Sequence, residues 1–104
     1  MRYKVTRHPL VRDDLSTMTI FIGEYAGYDI AEKKMADIEA SLYSLRDFPH
    51  VGTVRDEIYP GLRIIPAAGK AVVCFTVSTD RSEVYVICVS YAGADWGSRV
   101  KERS

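Results

Sequence analysis

The chain has 104 residues, 47% of them hydrophobic, and its fourteen basic groups balance fourteen acidic ones. That length holds one compact domain, residues 1–104, and leaves no room for two ordinary ones. Zero net charge gives no long-range attraction to a phosphate backbone, which weighs against a dedicated nucleic-acid binder; no run approaches the roughly 18 apolar residues of a membrane span, so a soluble cytoplasmic protein is expected.

The chain opens on "RYKVTRH", where Tyr3, Val5 and Arg7 alternate with Arg2, Lys4 and Thr6. This is a short strand with a mixed face, stopped by Pro9. Proline suits a helix's first turn, and from there Val11, Leu15, Met18, Ile22 and Tyr25 recur at steps of four and three, the stripe of an amphipathic helix. Gly27 sits where that helix should stop. Asp29 followed by Glu32 resembles a capping box that starts a second helix, whose stripe is Ala31, Met35, Ile38, Leu42 and Leu45 and which should end before Pro49. The pairs Asp13-Asp14 and Lys33-Lys34 read as solvated helix faces. Together the helices form an αα-hairpin whose joint apolar face needs a cover.

Residues 50–60, "HVGTVRDEIYP", form the one long connection. Three strand signals follow, over about 61–66, 70–79 and 82–90. With Asp80 and Arg81 as a two-residue hairpin loop, paired positions sum to 161, which puts Val73, Phe75, Val77, Val84, Val86 and Cys88 on one face, packed against the helices. The reverse face carries Val72, Cys74, Thr76, Ser78, Glu83, Tyr85, Ile87 and Val89. Its Val72, Cys74, Ile87 and Val89 end is apolar enough to need a second body, whether a peptide, a subunit or the C-terminal tail. The tail itself, "SRVKERS", reads as polar and frayed.

The same pairing sets Cys74 and Cys88, the only cysteines, on opposite faces as two small buried thiols unable to bond. His8 and His50 lack neighbouring ligands, and the glycines of "GEYAG" and "YAGAD" do not lead a strand into a helix with phosphate-loop spacing. No metal or cofactor is expected. The fold class is α+β: an antiparallel sheet of the N-terminal strand and a three-strand meander, packed on the αα-hairpin in the order β-α-α-β-β-β, with the first strand's place in the sheet open.

Within this order stand Leu45, Pro49 and Gly52 after the second helix, then Gly61, Leu62 and Arg63, then "VYVICVSYAGAD". Together they resemble the RelE/ParE toxin superfamily, whose pattern is a helix ending L-x-x-x-P-x-x-G, a G-L-R strand and a last strand closing on H-x-x-R-D. The resemblance covers about Tyr3 to Trp96. It implies the toxin of a type II toxin-antitoxin (plasmid stabilisation) pair, neutralised by a cognate antitoxin in a hetero-oligomer. RelE-like members are ribosome-dependent endoribonucleases that cut messenger RNA; ParE-like members instead poison DNA gyrase.

Arg63 matches the family's strand arginine. With Leu62 and Ile64 turned to the helices, Arg63 and Ile65 would point to the reverse face, the family's working surface. Tyr91 stands where the closing histidine is usual, Ala94 where the arginine is usual, and Asp95 where the aspartate is usual. Cleavage through a ribose 2′-oxygen needs a base poised near neutral pH and cations at the nonbridging oxygens. A tyrosine with a pKa of about 10 is a poor base, and Ala94 carries no charge.

The ParE-like, gyrase-directed branch therefore fits better than the endoribonuclease, in which Arg63 and Tyr91 would be catalytic; a degenerate, non-toxic member is a further alternative. The expected target- or antitoxin-binding residues are Arg63, Val72, Cys74, Tyr85, Ile87, Val89, Tyr91, Asp95 and Trp96. As plain sheet chemistry, Arg63 could instead bridge to Asp95, Tyr91 could simply reach water, and Trp96 could staple the tail to the sheet.

Overall fold

A computed structural model describes residues 2–104, which leaves Met1 of the expected domain outside. Its elements are β1 (Lys4–Arg7), α1 (Val11–Ala26), α2 (Tyr28–Ser44), β2 (Thr53–Val54), β3 (Arg63–Ala67), β4 (Ala71–Ser78), β5 (Glu83–Tyr91) and α3 (Trp96–Arg103). The strands form one sheet in the order β1-β5-β4-β3-β2.

β1 runs parallel to β5, with Val5 beside Val84, so the sheet is mixed and not antiparallel throughout as expected. A parallel pair needs a long crossover between its strands, and the α1–α2 hairpin lies within that connection. Two further elements depart from expectation. The long connection contributes the edge strand β2, and the tail expected to fray is α3.

The helix stripes pack as their spacing predicts. Val11, Met18, Ile22, Ala31, Ile38, Leu42 and Leu45 are buried, with Leu15 and Met35 packed against them, over Val73, Phe75, Val84, Val86 and Val89 of the sheet. At roughly 1.5–3 kcal/mol per large buried side chain, this layer supplies much of the folding free energy. Tyr25, the last residue of the α1 stripe, is 56% exposed. Gly27 caps both helices, its φ of 96° turning the chain sharply between them. Helix α2 thus starts one residue ahead of Asp29, and the expected Asp29–Glu32 capping box does not form: no side chain caps this end.

The β4–β5 ladder follows the expected register from Ser78–Glu83 to Phe75–Val86, then shifts by one, so that Cys74 lies across from Cys88 and Val73 from Val89. Ile87 is the additional residue of a β-bulge. One extra residue exchanges the faces of everything beyond it. Val89 therefore joins the helix-side core, and Cys88 moves to the reverse face beside Cys74. The expectation that the two thiols occupy opposite faces is corrected on this ground.

Candidate functional site

Arg63 lies on the helix side of the sheet, not on the reverse face. It pairs with Phe75, and its neighbour Ile65 packs into the helix-side core, while Leu62 and Ile64 face α3. Its Nη1 donates to the backbone carbonyls of His50 (3.1 Å) and Val51 (3.4 Å). The next residue, Gly52, has φ +87°, and a Cβ there would sit 2.3 Å from the Ile64 carbonyl oxygen. Only glycine permits that approach. In this chain, then, the L-x-x-x-P-x-x-G and G-L-R segments dock the loop after α2 onto β3, with the guanidinium as the clasp.

Tyr91 sits at the far end of the meander, across from Ala71. The stretch of β4 from Ala71 to Phe75 separates it from Arg63's level, roughly 13 Å at the rise of a strand. The two side chains do not work together. The Tyr91 hydroxyl lies 3.2 Å from that of Tyr25, and the Phe21 ring meets both tyrosines edge-on, at 5.1 Å from Tyr25 and 6.2 Å from Tyr91. The hydrogen bond with Tyr25, followed by partial burial, pushes the Tyr91 phenol up to about 12.

The other expected site residues scatter. Cys74 and Ile87 are buried with Leu62, Cys88 and Val100 under α3, with Val72 and Trp96 packed at the margin. The second body expected over this face is thus the C-terminal segment, one of the three covers considered. Val89 is buried on the opposite side. Tyr85 is 37% exposed, in ring contact with His8. Asp95 is the N-cap of α3, its carboxylate accepting from the Ser98 backbone N–H (3.2 Å) and hydroxyl (2.7 Å), which holds its pKa below the usual aspartate range. Trp96 lies under the Arg55 guanidinium, 5.3 Å from the ring centre.

Sequence reasoning missed an ionic network that fixes α3. β1 stops pairing at Val86, which leaves the outer edge of β5 open beyond it. Side chains close that edge in place of a strand. Asp14 accepts the Val89 N–H (3.1 Å), Arg103 donates to the Ile87 carbonyl (3.0 Å), and Arg99 donates to the Val89 carbonyl (3.5 Å) and the Ser90 hydroxyl (3.2 Å). Arg103 also grips Asp14 through two bonds of 2.7 Å, with the Asp14 and Arg103 side chains only 5% and 9% exposed. Hydrogen bonding to Asp14 raises the Arg103 pKa above its ordinary value. A charged, hydrogen-bonded cover blunts a strand edge against adventitious pairing.

Asp14 is therefore no solvated residue. Its place three residues after Val11 and four before Met18, both buried, is the signal that puts it on the inner stripe.

Beside this network runs a groove of about 450 Å³, walled by Asp13, Thr17 and Phe21 of α1 and by Arg99, and floored by Val89–Ala94. The Phe21–Tyr25–Tyr91 cluster rises at one side of it, with Phe21 53% exposed. Amphipathic aromatics around a shallow groove suit the capture of another macromolecule. No group of three or more His, Cys, Asp or Glu among the described residues could hold a metal, and no helix among them is long and apolar enough to cross a membrane.

No protein-family model and no curated protein matches the sequence. Solved structures match its shape. A chain of the chromosomal ParDE TA system from P. aeruginosa superimposes with a TM-score of 0.73 at 17% identity, over 88% of this chain and 97% of that one. A mutant of E. coli toxin RelE in the free state gives 0.66 at 17% identity, over 99% and 98%. This is the RelE/ParE toxin fold. The toxin-antitoxin complex RelBE2 from Mycobacterium tuberculosis gives a third match, 0.59 at 15% identity over 88% of this chain and 100% of that chain. The RelE match spans nearly every residue, α3 included.

Proposed function

We propose that the chain is the toxin of a type II toxin-antitoxin pair, of the ParE-like kind: a cytoplasmic protein that arrests growth by binding DNA gyrase and is held inactive by a cognate antitoxin. The fold supports the toxin reading. One observation carries the choice of binding over RNA cleavage, namely where the two candidate catalytic groups are engaged. Arg63 bonds through Nη1 to the His50 and Val51 carbonyls, away from Tyr91. The Tyr91 phenol, with its pKa pushed up to about 12, stays protonated at neutral pH and is a poor base. Ala94 contributes no cation. What remains exposed together is an aromatic groove, whose chemistry is that of a docking surface.

An amphipathic or extended antitoxin segment would seat apolar side chains against Phe21, Tyr25 and Tyr91, and an adjacent short reading frame encoding such a tail is expected. Induction should stop growth, and the purified protein should inhibit gyrase supercoiling while messenger RNA stays intact near start codons. Cleaved messenger RNA with gyrase unaffected would overturn the reading in favour of the endoribonuclease. Normal growth on induction would mark a degenerate member.

A further inference from the structure

The bulge places two thiols face to face. Cys74 and Cys88 are direct partners across β4 and β5, both free and both fully buried beneath α3 with Leu62, Ile87 and Val100. Directly opposed residues on antiparallel strands have Cα atoms about 4.5 or 5.5 Å apart, and both spacings lie within the roughly 4.4–6.8 Å that a disulfide spans. Both side chains stand on the same face, in one buried cluster. Neither lines the aromatic groove, so the proposed binding surface does not employ them.

We propose that Cys74 and Cys88 are a redox pair that closes to an intrachain disulfide when α3 lifts from the sheet and admits a hydroperoxide. The roles within the pair follow from their surroundings. The interaction with Cys74, aided by the Arg103 and Arg99 charges and opposed by burial and by Asp14, lowers the Cys88 pKa. The same interaction, with burial, disfavours ionisation of Cys74. Arg103 and Arg99 bond the Ile87 and Val89 carbonyls on either side of Cys88, which places both cations beside that sulfur and makes it the attacking one.

Its thiolate displaces hydroxide from the peroxide, breaking the O–O bond and forming a sulfenic acid; the hydroxide takes up one proton and leaves as water. Cys74 sulfur then attacks the Cys88 sulfur, the S–O bond breaks, and a second water leaves with the Cys74 proton. Two thiols and one hydrogen peroxide give one disulfide and two waters. Access is the gate, since both sulfurs lie at zero exposure under a helix held to the sheet by the Asp14–Arg103 pair and by Val100. Disulfide formation is read by mass, independently of any effect on growth.

The test exposes the full chain to hydrogen peroxide, quenches it at intervals, unfolds and alkylates it, and weighs the intact protein. The expected product is lighter by two hydrogens, takes up no alkylating reagent, and regains two reactive thiols on reduction. Arg103→Ala and Val100→Ala, each confirmed folded by circular dichroism, loosen α3 by different means and should form it about tenfold faster. Two thiols that stay alkylatable, or sulfinic acids in place of the disulfide, would overturn the pair. Equal rates in wild type and both variants would overturn the gate. If neither variant folds, the rate in wild type under sub-denaturing urea decides: a rise ahead of global unfolding supports the gate, and a rise only with it refutes it.

Discussion

The two sides of the sheet are held by different physics. Under the α1–α2 hairpin lies a continuous apolar core in which position along a helix decides burial. Under α3 lies a small cluster with a single fully buried helix residue, Val100, and the helix is secured by a buried ion pair and by carbonyls on the open edge of β5. The first arrangement is non-directional and tolerant of hydrophobic exchange. The second depends on geometry, because each charged partner is stable in place only while the other is present.

The largest loss of stability is expected on the helix side. Phe75→Ala should cost about 4 kcal/mol, read as a shift in urea midpoint with loss of the whole fold. On the other side, Asp14→Ala should cost about 3 kcal/mol by leaving Arg103 buried without its partner, whereas Asp14→Leu with Arg103→Met should recover most of that loss. A double variant as unstable as Asp14→Ala would mean that the charges themselves are needed.

Val100→Ala comes next at about 2 kcal/mol, and hydrogen exchange should place the weakening in α3 and the strand beneath it. Acid gives a smaller effect. The folded pKa of Asp95 is depressed, so its cap is at full strength above the ordinary aspartate range and is lost as pH falls through the lowered value. Circular dichroism should then show α3 fraying before the hairpin; simultaneous loss of both would erase the distinction.

The finest probe is Tyr25→Phe. Because the Tyr91 pKa is raised, the contribution of its bond to Tyr25 is complete below the ordinary tyrosine pKa and disappears as pH rises through about 12. Removing the Tyr25 hydroxyl should return Tyr91 toward its usual titration, read as the ultraviolet difference from Tyr91→Phe.

What the sequence made legible tracks the same divide. The stripes from Val11 to Ile22 and from Ala31 to Leu45 repeat at helical spacing, and the β4–β5 turn around Asp80 and Arg81 sets the register as far as Phe75. The bulge at Ile87 was hidden, since it falls in the run Val86-Ile87-Cys88-Val89, where any residue is apolar enough for either face. That one shift also misassigned Cys88 and Val89. Arg63 was misplaced because alternation gives relative faces, and only the α3 cover over Leu62 says which face is which. Helix α3 escaped notice because Arg99 and Arg103 read as polar tail residues until their partner Asp14 is known. In the candidate groove, Tyr91 is a residue the sequence singles out, while Phe21 and Arg99 come from segments that only folding brings beside it.

The parallel seam between the first and last strands sets a timetable for synthesis. Val5 bonds beside Val84, so at translation speeds of about 5–20 residues per second the opening strand waits roughly 4–16 seconds for its neighbour to be made. Until then the sheet is incomplete and the hairpin has little to pack on. Through that interval the ribosome holds an unfinished sheet, and a protein that reads the completed groove must wait until Val89–Ala94 have been added.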